Sequence, residues 1–535
     1  MHILPLALLL TAALRGEALA QEPPRLVVLI SIDQFRGDYP DRFGAYFTGG
    51  LRRLFEEGLW YANADLNYAS SETGPGHATI ATGTYPRQHG IHGNDWIDPR
   101  SRRSVYCVAD SAALPVDGLG GGVSPRNLLR STIGDWLKAA SPRSRVISVS
   151  GKDRAAILLG GHRADAAYWY ESRSGRWVSS SYYLSRLPDW VREYNAQDWV
   201  RNRVPEAWTR MAPESLYARQ GPDAFPAETP WNGSTAFPHP FDPKRKPAQV
   251  GNTPFLDFYT LDFAWRLIEA ENLGLRGVTD LLCLGLSATD YVGHGFGPDS
   301  HELLDQLLRL DRELGRFLER LERRVGKNRL LVVLTADHGV LELPEFLEQF
   351  RGIPARRLLY AEAIQPELDR IDRTLRERWG IGERILLPGG FLNYAAARRA
   401  GVDSLELEAQ VRQELLQVPA IVDVYFRREL VRDGGPDRPY LGYFRRSYHP
   451  ARGEDFQLRY GERSLVTSRP FGTTHGSPYR YDTHVPIVFW GAGIPPARSD
   501  RAVYSVDIAP TIARLIGVPY PEDLAGKPLE EVIRR

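Results

Sequence analysis

The stretch LLCLGLSATDYVGHGFGPDSHELLDQLLRLDRELGRFLERLERRVGKNRLLVVLTADHG, Leu281 to Gly339, alternates between two hydrophobic periods. Its ends, LLCLGLS and RLLVVLTA, are continuous leucine- and valine-rich runs, the pattern of strands buried on both faces in a parallel sheet. Between them Leu303, Leu304, Leu307, Leu308, Leu314, Phe317, Leu318 and Leu321 fall on one face of a helix. That spacing describes an amphipathic crossover between two parallel strands, with the charged residues on a solvated face. Each apolar run ends in polar groups: Asp290 with His294 four residues on, and the neighbours Asp337 and His338.

The same rhythm extends outward. A helix is expected around Phe255 to Asn272, so 255–338 reads helix, strand, helix, strand. RLVVLIS ends at Asp33, SRVISVS ends just before Gly151-Lys152-Asp153-Arg154, and PIVFWG from Pro486 adds another strand. The fold class predicted is α/β, a mainly parallel central sheet flanked by helices on both faces. Ligands of such sheets sit beyond the carboxyl ends of the strands, where these four runs deliver their charges. Two regions break the rhythm, about 168–254, rich in Trp, Tyr, Pro and Gly, and about 341–468. Both are expected as insertions or cap elements walling the site.

The 535 residues carry a net charge of +1, which argues against a nucleic-acid binder or a protein held on an anionic membrane surface. The first twenty residues, MHILPLALLLTAALRGEALA, pair an apolar core with a small-residue exit and read as an export signal, leaving 21–535 as the mature chain with no membrane span. The two cysteines, Cys107 and Cys283, do not make a disulfide framework, and Cys283 in its apolar run reads as a small buried hydrophobe. The sequon at Asn232 reads first as an Asn-Gly turn.

Asp33, Asp290, His294, Asp337, His338 and His475 of TTHGS form a mixed carboxylate and imidazole set that suits zinc. Six groups are too many for one tetrahedral ion and fit two. Taken singly, each has an ordinary reading as a turn cap or a hydrogen-bonded polar residue. Their convergence on one sheet edge is what makes them a site.

In SSETGPGHATIATG, Ser70 to Gly83, Pro75 suits the first turn of a helix and sets Thr73 just ahead of its amino terminus. Free N–H groups there favour an anion. A threonine hydroxyl becomes a nucleophile when a metal lowers its pKa, and Gly74 and Gly76 leave room for metal and substrate to approach. Ser70, Ser71, Thr79, Thr82 and Thr84 are placed less well.

With SIDQFRGDY, TGPGHATIATG, HGIHGNDW, SGKDRAAILLGGH, RWVSSSYYLSRLPDWVREYN, TTHGSPYRYDTHVPIVFWG and VDIAPTIARLIGVP, the chain resembles the alkaline phosphatase superfamily. Within it, the likeness is to the bacterial periplasmic phosphate-irrepressible alkaline phosphatases, from Leu26 to about Pro519. The resemblance implies two zinc ions, one held by Asp33, Thr73, Asp337 and His338, the other by Asp290, His294 and His475. His484 in YDTHVP competes with His475, which matches the family's His-Gly position. It also implies that Lys152, Arg154 and Asn94 hold the phosphoryl oxygens. The expected activity is hydrolysis of small phosphate monoesters through a covalent phosphothreonine at Thr73, in a periplasmic or secreted enzyme.

The rivals are a phosphodiesterase of the nucleotide pyrophosphatase type and, from another class, a non-catalytic binding or sensing ectodomain. The Lys152/Arg154 pair favours a monoesterase, because a monoester dianion has one more charged oxygen than a diester. A sulfatase would resemble Cys/Ser-x-Pro-x-Arg where this chain has Thr73, Pro75 and His77, and a phosphoglycerate mutase would lack the export signal.

Overall fold

A computed structural model describes residues 22–434 and 437–533. The expected export signal, residues 1–20, lies outside them. The strands that build the central sheet are β1 (Leu26–Ile32), β2 (Leu59–Asp65), β3 (Pro115–Val116), β4 (Val146–Ser150), β5 (Ala166–Glu171), β6 (Arg176–Ser180), β7 (Asp280–Leu286), β8 (Leu330–Thr335), β9 (His484–Gly491), β10 (Ala497–Ser499) and β11 (Val503–Tyr504). They run in the order β10-β2-β9-β8-β1-β7-β4-β5-β6-β3, with β11 beside β2. The middle five, β8-β1-β7-β4-β5, are parallel. β9, the PIVFWG strand, joins β8 antiparallel.

Along β1, Leu26, Val28, Ile30 and Ile32 enter one core cluster, whereas Val27 and Leu29 enter the other. The unbroken apolar run is therefore two alternating faces, each covered by helices. Burying each such side chain contributes about 1.5–3 kcal/mol. On one side lie α3 (Phe255–Ala270) and α5 (His301–Val325), and every leucine predicted for the inner face of α5 is buried. Register brings the strand ends level: Ser31 pairs with Gly285 and with Thr335, and Gly285 with Ser150. Whatever follows these four strands emerges at one edge.

The two irregular regions differ from each other. The first begins inside the sheet, since it starts within β5 and contains β6. Several of its aromatic residues pack on α3, Trp177 stacking on Phe263 at 4.6 Å and Trp199 on Tyr259 at 4.6 Å. These large side chains cover the back of a helix, where they bury much area. The second region has a core of its own running from Ile371 to Phe456.

Cys107 and Cys283 are buried free thiols. Asn232 sits in a turn with φ of 49°, its amide donating to the Pro240 carbonyl at 2.9 Å. Among the described residues no helix is long and apolar enough to cross a membrane.

Candidate active site

Asp33 follows β1, Lys152 and Arg154 follow β4, Arg154 in the first turn of α2 (Asp153–Gly160), and Asp337 and His338 follow β8. Asp290 and His294 lie on α4 (Ala288–Phe296), the helix that leaves β7, and the spacing of four puts their side chains 3.2 Å apart. Thr73 is the first residue of α1 (Thr73–Thr82), with Glu72 capping in extended conformation, so the helix starts one residue earlier than expected. Asn94 fixes that start: its side-chain oxygen accepts the Gly74 N–H at 2.7 Å, while its own N–H donates to Glu72 at 2.7 Å.

Three histidines face three carboxylates in one buried cradle. His475 Nδ1 bonds the Ser71 carbonyl at 2.6 Å, His294 Nδ1 the Thr473 carbonyl at 2.8 Å, and His338 Nδ1 the Gly339 carbonyl at 2.9 Å. A carbonyl only accepts, so each Nδ1 carries a proton, and in the neutral ring each Nε2 presents a lone pair. Those lone pairs point at carboxylate oxygens: His475 and His294 toward Asp290 at 3.6 and 3.2 Å, His338 toward Asp33 and Asp337 at 3.5 Å each. Lone pair facing anion is repulsive unless a cation stands between them. His338 Nε2, Asp33 Oδ1 and Asp337 Oδ2 are buried with no hydrogen-bond partner, which fits ligand atoms. Two triads, Asp290-His294-His475 and Asp33-Asp290-His338, have ligand atoms close enough to share an ion. His484 lies outside both; its ring packs against Gly37 and its Nε2 bonds the Ala62 carbonyl at 2.8 Å.

Electrostatics follow from the crowding. Burial and the charges of Asp290 and Asp337 push the Asp33 carboxyl well above its usual range, against the pull of Lys152. Burial pushes Asp290 the same way, but His294, when its ring is charged, and Lys152 outweigh it and hold this carboxyl well below. Burial lowers His475, and the neighbouring His338 and His294 lower it further. A neutral imidazole is the form that binds a metal.

Above the cradle, two cations converge on the hydroxyl of Thr73. Lys152 Nζ donates to Thr73 Oγ1 at 3.4 Å and Arg154 Nη2 at 3.3 Å. Lys152 also touches carboxylates of Asp33 and Asp290, each at 2.5 Å, and these hold its pKa above the ordinary lysine value despite full burial. The structure thus brings together Asp33, Thr73, Asn94, Lys152, Arg154, Asp290, His294, Asp337, His338 and His475.

The profile of the type I phosphodiesterase / nucleotide pyrophosphatase family matches residues 27–434. The chain belongs to that family. It is 36% identical over 530 residues to alkaline phosphatase PhoV of Synechococcus elongatus, covering 96% of this chain and 93% of the relative. It is 33% identical to alkaline phosphatase PafA of Elizabethkingia meningoseptica, covering 96% and 95%. The crystal structure of PafA superposes with a TM-score of 0.89 over 96% of this chain and 99% of the other. A further PafA structure replaces a threonine, an asparagine, a lysine and an arginine, at the same separations as Thr73–Asn94 and Lys152–Arg154 here.

Some groups of this family member's site escaped sequence reading. Gln34, in left-handed backbone at φ 65°, donates from Nε2 to Asp290 Oδ1 at 2.8 Å and from its backbone N–H to Asp337 Oδ1 at 3.1 Å. It ties together two carboxylates from distant strands. Its one available signal was its place directly after Asp33. Tyr291 lies with its ring 4.9 Å from Lys152 Nζ, and His77 sets its Nδ1 3.2 Å from Asp337.

Proposed function

We propose that the protein is an alkaline phosphatase that hydrolyses small phosphate monoesters with two zinc ions per chain, through a covalent phosphothreonine. The first ion would be held by Asp33, Thr73, Asp337 and His338, the second by Asp290, His294 and His475. Bound there, they would supply Lewis-acid stabilisation and acidify the threonine hydroxyl. The first twenty residues support a periplasmic or secreted location for residues 21–535, a single catalytic domain with the two inserted regions.

The observation that carries the monoester reading is the convergence of Lys152 and Arg154 on Thr73 Oγ1. A phosphoryl group attached at Oγ1 would have its oxygens within reach of both cations. Having lost its proton, Oγ1 attacks phosphorus; the Oγ1–P bond forms as the bond to the ester oxygen breaks, and that oxygen leaves as the alcohol after taking a proton. Water then adds to phosphorus and Oγ1 leaves, releasing inorganic phosphate. Lys152 and Arg154 neutralise the oxygens not involved in bond exchange. Asn94, its carbonyl oxygen engaged by Gly74 N–H, has its NH2 as the remaining donor toward them.

The test is turnover of an aryl phosphate monoester and the matching diester, with metal content measured on the same sample. Preference for the monoester, about two zinc per chain, and loss of turnover in Thr73→Ala are expected. Preference for the diester, or wild-type turnover in fully metallated Thr73→Ala, would overturn the reading.

A further inference from the structure

Beside the metal cradle lies a chamber of about 840 Å³, with His475 and Glu72 in its wall. Its other walls come from four parts of the chain: Ala69 and Ser70, the stretch from His92 to Ile97, the segment from Thr474 to Asp482, and the 341–468 region. None of the Trp- and Tyr-rich residues of the first irregular region lines it. A two-metal site for in-line displacement sets one ion at the attacking oxygen and the other at the leaving oxygen. Under the function proposed above, on which this inference rests, Thr73 belongs to the first ligand set, so the set that includes His475 would lie on the leaving-oxygen side. The chamber therefore stands where the rest of the ester must go.

Its chemistry is uneven. Trp96, Phe456, Tyr460 and Tyr479 give it aromatic surface, and the volume lies within the range that encloses a drug-sized ligand. Its two arginines are already committed. Arg384 pairs with Asp369 at 2.7 Å, and Arg459 donates to the hydroxyls of Tyr425 and Tyr479 at 3.1 and 3.3 Å, with Asp423 at 3.9 Å. Four carboxyls in the wall, Glu72, Asp95, Glu454 and Asp482, are in no ion pair with a lysine or arginine among the described residues. An anionic group entering here meets acids and no free cation; a flat uncharged ring meets aromatic faces.

We propose that this chamber is a leaving-group subsite selecting monoesters whose leaving group is an uncharged scaffold bearing a flat aromatic system of nucleoside size. Leaving groups that carry further phosphate or carboxylate are disfavoured. The contacts that accomplish this belong to Tyr460 and Trp96 on the attractive side and to Asp95 on the repulsive side.

Adenosine 5′-monophosphate, ribose 5-phosphate and adenosine 3′,5′-bisphosphate release similar primary alcohols, so differences in kcat/KM report the rest of the leaving group. The nucleotide should exceed ribose 5-phosphate by about tenfold, in line with base stacking on an aromatic side chain, and should also exceed the bisphosphate. Tyr460→Ala should shrink the first ratio and Asp95→Asn the second; the wild-type comparison stands even if a variant folds poorly. Equal kcat/KM for nucleotide and ribose 5-phosphate, or ratios untouched by both substitutions in folded protein, would overturn the subsite while leaving monoester hydrolysis intact. Failure to turn over any of the three, with aryl phosphates also inert, would instead remove the function on which the subsite rests.

Discussion

Gly76 and Asp337 pack so closely that a Cβ on the glycine would stand 2.5 Å from both the Cβ and the backbone oxygen of the aspartate. The helix bearing the candidate nucleophile and the strand end bearing a candidate metal ligand are thus in backbone contact, and only glycine permits it. Neither partner is the far end of a flexible chain, so any larger residue must move one element.

Gly76→Ala is expected to shift Asp337 relative to Thr73. Overpacking of this kind costs about 1–3 kcal/mol of stability, and a displacement near 1 Å at a reacting group costs about 10²-fold in rate. Chemical denaturation alongside kcat/KM checks both. Wild-type rate with wild-type stability would show that the contact is not tight.

Lys152→Ala and Arg154→Ala test the clamp separately. Each should lower monoester kcat/KM by about 10²–10³-fold, the cost of deleting a preorganised donor to a transition-state oxygen. A diester, with one fewer charged oxygen, should lose less. Equal losses on both substrates would mean the cations organise Asp33 and Asp290 and do not read the phosphoryl group.

Gln34→Ala removes the amide that donates to Asp290 Oδ1 at 2.8 Å. Partners that orient a ligand typically contribute about 10–100-fold in metal affinity. Titrating the chelator-stripped variant with zinc, and reading bound metal directly, should show a weaker site of that order. Unchanged affinity would make Gln34 a packing residue.

Much of this was legible in the sequence because it depended on period and order. Four apolar runs, each ending in charge, yielded both the parallel sheet and the edge at which Asp33, Lys152, Asp290 and Asp337 emerge, and a spacing of four put His294 beside Asp290. What escaped depended on contacts between distant segments. Gln34 has no motif; its role comes from register placing the loop after β1 between Asp290 and Asp337. The packing of the aromatic region near Tyr168 escaped for a related reason, since composition records apolar area but not which surface it covers. The preference for His475 over His484 rested on the resemblance to a family motif, and the fold adds the physical reason: His475 faces the carboxylates, whereas His484 opens β9 and bonds the Ala62 carbonyl.

Asp257 supplies a pH prediction away from the reacting groups. It is fully buried on α3, where its carboxylate accepts the Ala288 N–H at 3.0 Å and the Gln306 amide at 2.9 Å, so it anchors the start of α4. Burial raises its pKa from the ordinary 3.8 to about 7, against those hydrogen bonds and the more distant Lys152. Because the folded value lies above the unfolded one, the folded state holds a proton that the unfolded chain has released between these two pH values. The stability contributed by the protonated form is therefore complete below 3.8 and lost as pH rises through about 7. Asp257→Asn cannot titrate, and its amide can be accommodated if Gln306 turns its unpartnered Oε1 toward it. Across this window wild type should lose stability relative to the variant by roughly 1.4 kcal/mol per pH unit, then run parallel to it at higher pH. Urea unfolding of both proteins from pH 4.5 to 9 measures that difference with other titrations cancelled; parallel curves throughout would show that Asp257 is ionised in the folded protein well below neutrality.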